Sequence, residues 1–433
     1  MLLVLAPLIR GGNRHVALIA LEWLGLLVLW LLIAQPLFAR RVPAQVLQVA
    51  SPAPLSRAEW LLLLSPVGAA ALFLTPVPRE LWHALPGRDV YSFVAGQSWL
   101  PVTLTPDATA ASLLAAIPLA AAFLWARWAT PSQFMLLPKI LVLSACMQAV
   151  WGLLQVGPLK VLYFGVEFAG NAVGSFANAN HFANYLAMCL PLAVFLLWQS
   201  VPGLQRHTRK PHPAATALWS VALFTLLAGV LASGSRTGTA TALLVLLLTV
   251  GYLLTQGTQR FRLWHLLAAG GLLFAVLATV GISTFLSRLG SGTLGADALL
   301  RWREVVSSWH GAMAFWPLGA GPGSFSSVYP QFQPPALGGF LDYAHNDYVQ
   351  GLFEMGALSA VLGLLLVWLG GRQARLLWHQ SGASLKASFH LNLQICCGLS
   401  VVAIFLHSLL DFNLHIPANA ILCASLFGAF LRR

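Results

Sequence analysis

The sequence predicts an all-α polytopic membrane protein, with about 12 (11–12) transmembrane helices and a large loop on its outer face. Three observations predict it. The chain of 433 residues is 58% hydrophobic and 8% charged, with a mean hydropathy of +0.77, whereas a soluble globule carries about a quarter charged residues. Apolar runs of membrane-crossing length, roughly 17 to 25 residues, recur along the whole chain. Lys and Arg gather in alternate connections, as short cytoplasmic loops require.

The runs follow in order at 15–38, 58–78, 109–128, 135–157, 179–200, 215–233, 238–255, 264–284, 345–370, 389–411 and 416–431. A shorter stretch from Leu2 to Ile9, ahead of Arg10-Gly11-Gly12-Asn13-Arg14, is the candidate twelfth span. No basic region precedes it, which argues against a cleaved signal peptide. In the register that fits best, fifteen of the 24 Lys and Arg face the cytoplasm, Arg40, Arg41, Arg127, Arg206, Arg372 and Arg433 among them. The other face mixes Arg79, Arg88, Lys160, Arg236, Arg288, Arg301 and Arg303 with most of the acidic residues. The net charge of +12 is therefore mainly a topology signal, and scattered basic residues without a stripe exclude a nucleic-acid surface. All five cysteines, Cys146, Cys189, Cys396, Cys397 and Cys423, fall inside runs and serve as packing residues. With no repeat and no long soluble segment, 1–433 is expected to be a single transmembrane domain.

The outer connections are long, at 79–108, 158–178 and 285–344, and long loops usually carry a role. In the last, Trp302, Trp309 and Trp316 among Gly and Pro predict one or two amphipathic helices near 297–315 lying on the membrane, then a turn-rich arm over a cavity. Gly319-Ala320-Gly321-Pro322-Gly323 reads as turns, since no strand precedes it as in a phosphate loop.

Four polar clusters lie on this face. Asn178, Asn180 and His181 open the run at 179–200; an asparagine cap would explain one of them, while three supply donors and acceptors suited to sugar hydroxyls or phosphate oxygens. Ser233-Gly234-Ser235-Arg236-Thr237-Gly238 joins two runs, and Arg236 either snorkels to the interface or offers a planar fork to a phosphate. Arg301 and Arg303, with Arg288 upstream, either anchor the amphipathic helix in headgroups or face the substrate, and Glu304 is spaced to pair with Arg301. Finally, His345, Asn346 and Asp347 start an apolar run. Polar groups there gain nothing from lipid, and Asp347, Gln350 and Glu354 share one helical face that should turn inward.

In this order the segments FANANHFANYL, SGSRTG, the loop arginines, PLGAGPGSF, YPQFQ and HNDYVQGLFEMG resemble the O-antigen ligase and O-antigen (exopolysaccharide) polymerase superfamily of membrane glycosyltransferases, over about residues 170–360. The superfamily's His-Asn, nine residues, Gly-x-x-Gly pattern is met at His345, Asn346 and Gly356, with Ser359 in place of the last glycine. The resemblance implies a GT-C-like membrane fold in a bacterial inner membrane, with the active site on the periplasmic side. It implies an inverting transfer of glycan from an undecaprenyl (polyprenyl) diphosphate carrier to an acceptor sugar hydroxyl. His345 would be the general base, and Arg236 with one loop arginine would hold the diphosphate. No acidic cluster at metal-ligand spacing occurs on the outer face, so neither metal nor cofactor is expected. Expected partners are the lipid-linked oligosaccharide donor, a glycan acceptor, the bilayer and a chain-length regulator.

Polymerisation of repeat units is the first expectation, ligation to lipid A core or protein the second. A flippase for lipid-linked sugars is the alternative of another class. Against the flippase, no paired interrupted helices mark two matching halves, and the polar residues crowd one face instead of the midplane.

Overall fold

The computed structural model describes residues 1–39, 53–91, 97–156, 170–201, 213–256, 293–383 and 389–432. The expected span at 264–284 and Arg288 lie outside these residues. In chain order the helices are α1 (Leu2–Leu5), α2 (His15–Ala39), α3 (Arg57–Phe73), α4 (Arg79–Ala84), α5 (Pro106–Leu114), α6 (Ala116–Arg127), α7 (Pro131–Val156), α8 (Ala179–Ser200), α9 (Pro213–Ala232) and α10 (Arg236–Thr255). Then come α11 (Thr293–Ala314), α12 (Phe325–Val328), α13 (Asp347–Met355), α14 (Ala357–Ala383), α15 (Phe389–His407) and α16 (Pro417–Phe430). The fold is that of an all-α polytopic membrane protein. Eight stretches among the described residues are long and apolar enough to cross a bilayer.

Three expected spans differ in detail. Leu2 to Ile9 forms the four-residue α1 and a short 3-10 turn, because Pro7 and the Gly11-Gly12 pair stop a helix that at ~1.5 Å per residue is far too short to cross. The run at 109–128 is two helices meeting at Ala115. The run at 345–370 breaks at Gly356, whose φ of 53° and ψ of −131° lie outside helical space.

At the centre stands α8, with 94% of its span buried, packed by α7, α9, α10 and α15. Close approach to α10 depends on Gly238, where a Cβ would fall 2.5 Å from that of Ala183. On the opposite end of the bundle from the site, the buried Glu59 accepts from Arg127 Nε at 2.7 Å and ties α3 to α6.

The described parts of the 79–108 and 285–344 loops knit together, as the Leu104 amide donating to the Ala320 carbonyl shows. Two short strands, β1 (Pro76–Pro78) and β2 (Trp99–Pro101), pair antiparallel with Val77 opposite Leu100. Arg88 is fully buried between the rings of Trp82 and Phe315 and donates to the carbonyls of Pro86 and Val102. Its guanidinium is consumed by structure. The amphipathic α11 appears close to where the sequence places it, and it packs on α13 through a second apolar cluster that includes Phe315, Phe325, Tyr329 and Phe353.

The inward stripe of α13 is buried as expected, with Asp347, Gln350 and Glu354 at 6%, 2% and 6% exposure. Glu354 accepts from the amides of Gly323 and Phe325, so the glycine-rich turns wrap the C-terminal end of α13. The arm is thereby fixed to the helix that follows His345.

Candidate active site

The site is assembled around a residue that the motifs do not contain, Asp411, in the short turn between α15 and α16. Its side chain is 1% exposed. Oδ2 accepts from Asn180 Nδ2 at 2.6 Å. Oδ1 accepts from the Phe412 amide at 2.9 Å and lies 3.2 Å from His345 Nδ1 and 3.5 Å from His181 Nε2. Burial alone would raise this carboxyl, but hydrogen bonding and charge from His181 and His345 outweigh it and hold it well below the usual carboxylate range.

An ionised carboxylate only accepts, so Nδ1 of His345 is the donor in this pair. With Nδ1 so occupied, Nε2 is the atom of the ring that can take up or release a proton toward the cavity. The His345 side chain is 23% exposed. Its ring meets the edge-on ring of Phe412 at 4.9 Å, while His181 meets the same ring at 4.5 Å. Phe412 is thus a spacer between two imidazoles that share one carboxylate.

Why His345 sits there follows from its neighbours. Asn346 is the N-cap of α13, its Oδ1 accepting from the amides of Tyr348 and Val349 at 3.0 Å each, a cap worth about 1 kcal/mol. The other end of the same side chain donates to the Leu409 carbonyl at 2.8 Å. Asp347 accepts from His415 Nδ1 at 2.6 Å and from the Leu414 amide at 2.9 Å, and its own amide donates to the Ser408 carbonyl. Four bonds therefore clamp the start of α13 to the 408–415 turn. Burial would lower His415, but the bond to Asp347 and the nearby charges of Asp347 and Glu354 raise it above the ordinary histidine value. Within this clamp His345 takes a left-handed φ of 43°, costing roughly 1 to 2 kcal/mol for a non-glycine residue.

Of the other expected residues, Asn178 caps α8 by accepting from the Asn180 amide at 2.8 Å. Arg301 donates to the Leu410 carbonyl at 3.2 Å, one residue from Asp411. Arg303 is exposed on α11, and Arg236 is exposed at the first turn of α10 after its Ser235 cap. The structure brings Asn180, His181, His345 and the Arg301 contact together at Asp411, while Asn346 and Asp347 act as the clamp. Glu304 is also buried nearby. Burial pushes its carboxyl up to about 7, against the lowering charges of His345 and Arg301.

A cavity of about 300 Å³ opens beside His345, the lower end of the size range for small-molecule sites. Asn178, His181, Tyr343, His345 and Phe412 line it, together with Arg10, Asn13 and the arm residues Phe340 to Asp342. Among the described residues, no group of three or more His, Cys, Asp and Glu is arranged to hold a metal ion.

Residues 221–367 match a family model described as O-Antigen ligase. Over that stretch, about a third of the chain, the sequence is similar to the O-antigen ligase family. This supports the resemblance to the O-antigen ligase and polymerase superfamily and an enzyme of that type in a membrane, with a lipid-linked glycan as the implied substrate. No curated protein matches the chain. The O-antigen ligase segment includes Arg236, Arg301, Arg303 and His345 but ends before Asp411 and begins after Asn180. Asp411 was legible only as an acidic residue among His407, Asn413 and His415, polar company out of place beside an apolar run.

Proposed function

We propose that the protein is an inverting glycosyltransferase that moves glycan from a polyprenyl diphosphate carrier to an acceptor hydroxyl at the His345 cavity. The observation that carries this reading is the His345 and Asp411 pair, with one imidazole nitrogen bound to a buried carboxylate and the ring opening on a cavity. Nε2 takes the proton of the acceptor hydroxyl as its oxygen bonds to the anomeric carbon, and Asp411 stabilises the imidazolium that forms. On the opposite side of that carbon the bond to the phosphate oxygen breaks, and the polyprenyl diphosphate leaves with the electron pair. One displacement inverts the centre. Arg236 and Arg301, with Arg303 and Arg288, are the candidates to neutralise charge growing on the leaving group. Asn180 holds Asp411, and Asn178 and His181 face the glycan. No step needs a metal.

The reading places the cavity on the periplasmic side of a bacterial inner membrane. Repeat-unit polymerisation is the primary reading. Ligation onto lipid A core is the second, favoured by the description of the matching family, and it shares the same half-reaction.

The test is transfer by purified protein in nanodiscs supplied with polyprenyl-diphosphate oligosaccharide. His345→Ala should lower turnover by about 10² to 10⁴-fold while the donor still binds. Near-normal turnover in that variant would remove His345 from the mechanism, and an intact glycan bond with wild-type protein would favour a flippase. A ladder of products without added core lipid marks a polymerase, whereas transfer only onto added lipid A core marks a ligase.

A further inference from the structure

We infer that Arg10, on the N-terminal turn, is an anion-binding residue of the His345 cavity and holds the phosphate of the lipid carrier. This rests on the proposed function. Of the motif arginines Arg301 reaches the Asp411 turn, yet among the described residues Arg10 is the arginine that lines the cavity itself, together with Asn13, Asn178 and His345. The planar donor fork of a guanidinium matches a departing diphosphate.

The backbone around Arg10 is built to hold it there. Arg10, Gly11 and Gly12 take φ values of 49°, 67° and 81°. Two glycines accept this freely, but for Arg10 it costs roughly 1 to 2 kcal/mol, and such strain in a packed turn gathers at ligand clamps. A Cβ on Gly11 would lie 2.7 Å from the Phe176 ring, and one on Gly12 would lie 2.9 Å from Pro417. Ser175 also donates to the Pro7 carbonyl. The turn is therefore wedged between the loop that leads into α8 and the start of α16, the segments that carry Asn178 and follow Asp411. The structural alternative is that Arg10 serves only the fold, for instance by pairing with Asp342, which lines the same cavity.

Binding of undecaprenyl diphosphate, without glycan, to protein in nanodiscs separates these. Arg10→Gln should weaken binding about tenfold or more and raise the donor KM more than it lowers kcat, and Arg10→Lys should fall between. If Arg10→Gln binds the bare carrier normally but loses affinity only for donors bearing a uronic acid or phosphate, the anion is on the glycan and the carrier assignment falls. Unchanged binding and turnover in Arg10→Gln would overturn the inference, as would equal loss in both variants with a lowered melting temperature. Failure of wild-type protein to bind the carrier at all would instead overturn the proposed function.

Discussion

A buried carboxylate surrounded by donors has little choice of protonation state, and that fact organises the chemistry around Asp411. Asn180, the Phe412 amide and two histidines point at it, so it stays charged and fixes the His345 tautomer. Asp411→Asn keeps the size and the bond to Phe412, but an amide can present its NH₂ to His345 and reverse the ring's donor and acceptor atoms. Turnover should fall on the order of 10² to 10⁴-fold, with donor affinity near wild type. Because the folded value of Asp411 is depressed, its stabilisation is complete above the ordinary 3.8 and is lost progressively as pH falls below it toward and through the lower folded value. The variant should therefore melt below wild type at pH 7, and the gap should close only under strong acid. A constant gap down to pH 2 would contradict the ionised assignment. At this scale His345, Asn180 and His181 were legible because polar residues at the mouth of an apolar helix demand a reason. Asp411 was not, because hydropathy merged it into the end of the preceding span.

At the scale of elements, the break at Gly356 decides how the outer arm is held. The sequence shows one apolar run from 345 to 370, since a window average registers hydrophobicity and not backbone direction. The chain instead turns at Gly356, where an added Cβ would lie 2.0 Å from the Pro317 carbonyl oxygen. The Ala357 amide donates to that same oxygen at 2.8 Å. Gly356→Ala would force the arm off the end of α13 and should cost on the order of 2 to 4 kcal/mol, read as a lowered melting temperature with weakened donor binding. A melting point unchanged within a degree would mean the arm is held elsewhere. The amphipathic α11 was legible because its Trp and Arg pattern has helical period. The knitting of the 79–108 loop to the glycine-rich turns was not, since carbonyl acceptors such as those of Pro86 and Val102 leave no sequence signature.

At the scale of the whole molecule, the distribution of Lys and Arg gives an orientation that labelling can check. Four of the five native cysteines are buried and Cys146 is partly so, giving a quiet background for a membrane-impermeant maleimide. In intact cells Arg303→Cys, exposed on α11, should react from outside, and Arg375→Cys on the far part of α14 only after permeabilisation. The reverse pattern would invert the topology and remove the periplasmic site. The all-α class was plain from composition alone, whereas the convergence of residues 180, 345 and 411 was not, because sequence separation says nothing about which helix stands in the middle.

That middle position of α8 has its own consequence. A helix with no side turned to lipid is released from the usual demand for greasiness and is held instead to shape, as the interior of a water-soluble protein would be. A saturation scan of the chain should then show two kinds of apolar segment. Along α14, mostly open to lipid, Leu, Ile, Val and Phe would exchange freely, whereas along α8 a single added methylene at Ala183 or Ala187 would register as loss.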